Sequence, residues 1–261
     1  MQSILIIGTG RLAFHLGHAL KHNGLGLAGV AGRNAGRTAK LADKLGCGAF
    51  GLHGALPPAG MRVLAVSDDA IRAVAEALPK DGTPVIHLSG SNSLDLLQAH
   101  ARRGVMWPMH SFGTGEPADF STIPLVIDAD DEATLALVRK VASTLSGHVV
   151  QLPMEQRQRL HLSAVMASNF PVFLLREASR LLTAHGIDAT LLHPLWKTAA
   201  ERALHDPDKA VTGPARRGDV NTMAKQLELL ADEPELRRAY AALSKLILHT
   251  YHPETRGQQD L

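Results

Sequence analysis

The chain has 261 residues, with 27 Lys and Arg against 25 Asp and Glu, and its net charge of +2 includes no basic block of the kind that binds nucleic acid or a membrane surface. Its single cysteine, Cys47, excludes a disulfide framework and suits a reducing compartment. No apolar run reaches the ~18–20 residues of a membrane helix, and the N-terminal apolar run lacks the charged flank of a signal peptide. A cytoplasmic protein of one large or two modest domains is expected, with no membrane or nucleic-acid partner.

Ile4–Ile7 is a short aliphatic run, as in a strand buried on both faces. Gly8-Thr9-Gly10-Arg11-Leu12-Ala13 follows, and then apolar spacing (Leu16, Ala19, Leu20) that reads as a helix. Strand, glycine turn and helix with G-x-G-x-x-A spacing form a dinucleotide fingerprint. Gly8 serves the tight turn, Gly10 the approach of a pyrophosphate, and Ala13 the close packing of helix on strand. The helix N-terminus adds free N–H groups and positive dipole for the phosphates. An ordinary glycine turn is the bland alternative.

Leu25–Ala31 reads as a second strand, ending at Gly32-Arg33-Asn34, with Arg37 close behind and no acid nearby. An acid at this point would bind the ribose hydroxyls of NAD. Arginine instead accommodates a 2′-phosphate, so NADP(H) is preferred over NAD(H). A helix over 35–45 closed by Gly46 follows, then a strand over 61–66 ending at Val66-Ser67-Asp68-Asp69, with Asp68 or Asp69 capping the helix that runs to Leu78. Further strands are expected at 83–88 (ending at Ser89-Gly90-Ser91-Asn92-Ser93), 123–128 and 147–152, with a short strand and loop over 104–112 (His110-Ser111-Phe112 at its end) and a helix at 131–145. Strands alternating with helices imply βαβ units and a parallel sheet, here a Rossmann-type doubly wound α/β domain over 1–153. Its polar strand-end loops gather along one edge, where ligands bind.

From Met154 the pattern is helical throughout, which marks 154–261 as an all-helical second domain. Residues 155–185 should form one long helix kinked at Pro171, followed by helices at 189–204, 220–230 and 234–248. At 100° per residue His161 and Ser168 lie about 20° apart, and Asn169 about 80° from His161, so one side of that helix gathers all three. His161 is the candidate proton donor and Asn169 the orienting amide, unless both only serve a helix–helix contact. Thr212-Gly-Pro-Ala-Arg-Arg217-Gly-Asp219 sits between helices. Arg217 suits an anionic substrate group, and Asp219 either joins it or caps the next helix. His15, His18 and His22 have helical spacing but no fourth ligand, so they read as an exposed face and no metal is expected. Lys197 reads as a snorkelling lysine and Cys47 as inert.

Assembled, these motifs resemble a family of Rossmann-like proteins labelled NADP-dependent oxidoreductases, which carry a helical C-terminal domain of unknown function. The residues that carry the resemblance are Ile6–Gly10, Leu64–Ile71, His87–Gly90, His110–Phe112, His161–Asn169 and Thr212–Asp219. The resemblance implies kinship with pyrroline-5-carboxylate reductase and 6-phosphogluconate dehydrogenase-like proteins, NADP at the sheet edge, and a homodimer joined through the helical domain. Two signatures of those relatives are missing. His161 is followed four residues later by Val165 rather than the asparagine of a lysine–asparagine pair, and the Ser/Gly/Pro signature of the pyrroline-5-carboxylate reductases is absent. Neither of those reactions is therefore expected.

The expected function is hydride transfer between NADP(H) and a small, anionic carbonyl or imine compound. Gly8, Thr9, Gly10, Arg11 and Leu12 would hold the pyrophosphate, and Arg33 and Asn34 the 2′-phosphate. Val66, Ser67, Asp68 and Ser89 would line the nicotinamide half. His161 and Asn169 are the candidate catalytic residues, with His110, Ser168, Arg217 and Asp219 binding substrate. The alternatives are a non-catalytic NADP-binding sensor or assembly protein, and a structural dimer with a vestigial glycine loop.

Overall fold

A computed structural model describes residues 3–255. The chain forms two compact units that divide between Val172 and Phe173.

The first unit is an eight-stranded sheet in the order β3-β2-β1-β4-β5-β6-β7-β8. Its strands are β1 (Ile4–Ile7), β2 (Leu27–Gly32), β3 (Ala49–Gly51), β4 (Met61–Leu64), β5 (Val85–His87), β6 (Arg103–Pro108), β7 (Leu125–Ala129) and β8 (Val149–Gln151). Helices α1 (Arg11–His22), α2 (Ala35–Leu45), α3 (Ile71–Ala77) and α4 (Glu132–Leu145) connect them. Period-two alternation sends β1 side chains to opposite faces. Ile4 and Ile6 join a core with Leu16, Leu45, Met61, Ile86 and Val138, whereas Leu5 and Ile7 join one with Leu64, Val74, Val85 and Leu97. Helices therefore cover both faces of the sheet, as a doubly wound Rossmann-type fold requires.

Two strand expectations need correction. The sheet is not parallel throughout, because β6 and β7 pair antiparallel. The stretch between them holds only a short 3₁₀ turn (Phe120–Thr122), and antiparallel neighbours need no crossover helix. In addition β3, unforeseen, is a three-residue edge strand between glycines with no alternating apolar run to announce it.

The expected long helix is interrupted. Helix α5 (Met154–Ala164) passes into a π turn (Val165–Asn169) before α6 (Phe170–Ala184). Pro171 carries no N–H and its ring crowds the preceding turn, so the backbone widens there: the Phe170 N–H bonds the Val165 carbonyl five residues back. Although the strand pattern ends at β8, α5 stays with the sheet unit. Its fully buried Arg157 donates to the Asp128 carboxylate (3.1 Å) and to the Asn92 carbonyl (2.7 Å).

The second unit contains helices α7 (Leu192–His205), α8 (Pro207–Ala210), α9 (Pro214–Arg217), α10 (Val220–Glu228) and α11 (Pro234–Tyr251) with most of α6. Ala215, Met223 and Leu248 form its small core. Arg180 bridges Glu177 on its own helix and Glu233 at the start of α11, donating to both carboxylate oxygens of Glu233 (2.8 and 2.9 Å). No helix among the described residues is long and apolar enough to cross a membrane.

Candidate functional site

At the carboxyl ends of β1, β2 and β4 lies a cavity of about 450 Å³. Gly8, Thr9, Gly10, Arg11, Leu12, Arg33, Asn34, Val66 and Ser67 all line it, together with Arg37 and Phe112. Two glycines in it do different jobs. Gly8 has φ +127°, and a Cβ there would lie 2.2 Å from the Ala65 carbonyl oxygen, so the fold itself demands glycine. Gly10 is the N-cap of α1 in ordinary extended geometry, and a Cβ there would meet no protein atom within 4 Å. What a side chain at Gly10 would fill is the open cradle in front of the helix N-terminus, where the first N–H groups lack intrahelical acceptors. Ala13 is fully buried under the turn.

Electrostatics favour an anion. Arg11, Arg33 and Arg37 line the cavity and no carboxylate does. The Asn34 side chain caps α2 by accepting the Arg37 N–H (2.9 Å), which fixes the turn that presents Arg33. Dinucleotide phosphates fit this donor set.

Asp68 and Ser89 lie outside that cavity, in a polar cluster at the ends of β4 and β5. Neither Asp68 nor Asp69 caps α3 with its side chain, as had been expected. The Asp68 carboxylate instead accepts from Ser89 Oγ (3.0 Å) and Ser91 Oγ (3.1 Å), and Asn92 Nδ2 donates to Ser89 Oγ (3.0 Å). Beneath them His87 accepts the Ser89 N–H at Nδ1 (3.2 Å). Sequence reasoning puts Ser91 and Asn92 in a strand-end loop without singling them out, and it misses Arg157 here. An arginine one turn into a helix gives no local sign that it will be buried, and the only hint was Asp128 at the end of an apolar strand.

His161 is half-buried, its ring centroid 5.5 Å from that of Trp107. Trp107 in turn fills the space beside Gly90, and Gln158, one turn before His161, donates to the Ser91 carbonyl (3.1 Å). His161 therefore stands next to the Ser89–Asn92 loop. The expected grouping with Ser168 and Asn169 rested on an unbroken α-helix, and the π turn between them breaks the 100° count. Ser168 and Asn169 are exposed and bond each other (Oγ to Oδ1, 3.0 Å). His110 is exposed, edge-on to Phe112, which lines the cavity.

Arg217 and Asp219 belong to the helical unit. Asp219 caps α10: one carboxylate oxygen accepts the Thr222 N–H (3.0 Å) and the other the Thr222 hydroxyl (2.7 Å). Those bonds hold its carboxyl below the usual range. Arg217 is exposed, whereas Arg216 lies over the Tyr251 ring at 3.8 Å.

His15 does not lie on an exposed face with His22. It is buried, its Nε2–H donating to the Gly113 carbonyl and its Nδ1 accepting the Ala118 N–H, both at 3.1 Å. Lys197 is exposed beside Glu201, and burial pushes the Cys47 thiol upward, away from reactivity.

A family model described as a domain of unknown function (DUF2520) matches residues 123–247, which take in β7, α4 and β8 as well as most of the helices. Over nearly its whole length the chain is similar to a Bacteroides fragilis protein described as a "putative NADP oxidoreductase", with 30% identity, 95% of this chain and 98% of that one covered, and a TM-score of 0.85. The chain belongs to that family. These are Rossmann-like proteins whose C-terminal part is the DUF2520 domain. A Thermotoga maritima protein is similar at 27% identity, with 97% and 100% coverage and a TM-score of 0.73. The 1-pyrroline-5-carboxylate reductase of Streptococcus pyogenes, at 15% identity, 95% and 98% coverage and a TM-score of 0.62, shares the fold. No curated protein matches the sequence.

Proposed function

We propose that this member of the family is an NADP(H)-dependent oxidoreductase acting on a small, anionic carbonyl or imine compound. The observation that carries the reading is the cavity at the glycine turn, lined by three arginines and no acid, with an open cradle before Gly10. The description of the Bacteroides fragilis relative supports it. Arg33 and Asn34 mark the 2′-phosphate end, and Gly8 through Leu12 the pyrophosphate. Val66 and Ser67, with the Asp68–Ser89 pair beyond them, mark the nicotinamide end. Bound NADPH supplies a hydride, and the remaining work falls to side chains of this chain. His161, set beside the Ser89–Asn92 loop, is the proposed proton donor to the carbonyl oxygen or imine nitrogen. Asn169 and Ser168 orient the substrate with His110. Asp219 is assigned to helix capping rather than substrate.

Calorimetric titration with NADPH and NADH, on the wild type and on Arg33→Ala, tests the reading. The wild type should prefer NADPH, and the variant should lose that preference by about tenfold or more, the scale of one charge-assisted phosphate contact. Absence of binding by either cofactor overturns it. Binding without turnover of any carbonyl or imine compound would leave a sensor instead, and intact turnover in His161→Ala would overturn the role given to that residue.

We also infer a homodimer through the helical unit. Leu204 (88% exposed), Leu229 (84%), Leu191 and Leu195 give that unit more bare apolar surface than a monomer needs. Light scattering that finds a monomer at micromolar concentration would refute it.

A further inference from the structure

Helices α1 and α2 touch where a Cβ on Gly17 would lie 2.4 Å from the Leu45 side chain. Between these two helices and residues 113–115 opens a groove of about 350 Å³. Arg37, Lys40 and Lys44 reach it from α2 at i, i+3 and i+7, one face of the helix, and Arg11 reaches it from α1. No carboxylate lines the groove, and none of the four cations has an ion-pair partner among the described residues. Its third wall is held in place. The buried His15 ring bonds Gly113 on one nitrogen and Ala118 on the other, so a single side chain pins both ends of the segment that closes the groove. Lys44 is steadied over the Phe14 ring, 5.5 Å from its centroid.

We propose that this groove is a second anion site, for a phosphorylated small molecule other than the dinucleotide. Four unpaired cations around one pocket call for a multivalent anion, because a monocarboxylate would neutralise only one of them. The groove shares Thr9, Gly10, Arg11 and Arg37 with the dinucleotide cavity, so its occupant lies beside the pyrophosphate loop. Lys40 and Lys44 line the groove alone, and for that reason the two sites can fail separately.

Inorganic tripolyphosphate is the probe, titrated calorimetrically into the wild type, Lys40→Ala/Lys44→Ala and Arg33→Ala, each with and without saturating NADPH. The wild type should bind in both conditions, more weakly as salt rises. With NADPH saturating, the double variant should lose about tenfold in affinity, and Arg33→Ala should bind the probe as the wild type does. Unchanged binding by the double variant overturns the proposal, and so does loss of wild-type binding once NADPH is present, which would assign these cations to the dinucleotide. If NADPH does not bind at all, the variants decide without it: loss of tripolyphosphate affinity in Lys40→Ala/Lys44→Ala supports the groove, and loss in Arg33→Ala alone assigns the probe to the glycine-turn cavity and overturns the proposal.

Discussion

Acid should destabilise the sheet unit through His87. This residue ends β5 and is 0% exposed. Its Nδ1 accepts the Ser89 N–H, so the ring proton sits on Nε2, which has no partner among the described residues. Protonating Nδ1 breaks the bond from the Ser89 N–H. Burial first, then the nearby Arg157 guanidinium, push the imidazole down from its ordinary value to about 4, against smaller upward pulls from Asp68 and the Ser93 backbone. An unfolded histidine titrates near ~6.5. The unfolded state therefore binds more protons than the folded state between these values, and stability falls as pH falls through that window. The gap of roughly 2.5 units is worth about 3 kcal/mol, a large share of the ~5–15 kcal/mol that holds a domain together. Stability from this group is fully present above pH ~6.5 and fully lost below about 4. The assay is urea unfolding from pH 7 to pH 4, read by Trp107 fluorescence in a Trp196→Phe background, because the chain has only two tryptophans and Trp107 reports the sheet unit. His87→Asn keeps an acceptor for Ser89 and cannot titrate. The stability difference between wild type and variant should shift by about 3 kcal/mol across the range in favour of the variant at acid pH, the other histidines cancelling. Parallel profiles would refute the argument.

Other substitutions separate fold from ligand. Gly8→Ala should cost at least ~2 kcal/mol in denaturant unfolding, because a positive φ and a backbone clash act together; Gly10→Ala should leave stability within ~0.5 kcal/mol yet weaken NADPH in calorimetry. Arg157→Leu should cost about 3 kcal/mol, since it strands the Asp128 carboxylate and the Asn92 carbonyl without their donor; an unchanged urea midpoint would show that the buried pair does not hold β7 to the loop after β5. His15→Ala should speed amide exchange across 113–118 far more than elsewhere; uniform exchange would mean that the segment is held by something other than the ring.

The dinucleotide half of the site was readable because each of its parts is local. A strand, a glycine turn and a helix start need only a dozen consecutive residues, and the N-cap at Asn34 lies within four residues of the arginines it presents. The parallel pairing of the central strands followed from alternation with helices, though their order did not. Alternation failed at β6 and β7, where residues 109–124 offer no helix and the hand of the pairing is set by the absence of a crossover. The burial of His15 is hidden from the sequence for a related reason. Its partners Gly113 and Ala118 are about a hundred positions away, and helical spacing alone made its face look like that of His22.

The substrate half is harder to read, and the π turn shows why. His161 lies before the turn, tied to the sheet unit through Trp107 and through the bond from Gln158 to the Ser91 carbonyl. Ser168 and Asn169 lie within it, so their direction depends on one extra residue in the turn that Pro171 imposes four residues after Ala167. A period-3.6 count is right up to Ala164 and wrong beyond it. Proline at that position thus does more than bend a helix. It takes the two polar residues just ahead of it off the α-helical count from His161, and they lie exposed and bonded to each other. A Pro171→Ala variant restores the missing donor, and a straightened α-helix would swing Ser168 and Asn169 back toward the His161 side. If these residues orient substrate from their present direction, that variant should raise KM on a found substrate while NADPH affinity stays unchanged. Equal losses in both would show that the turn supports the fold and not the substrate.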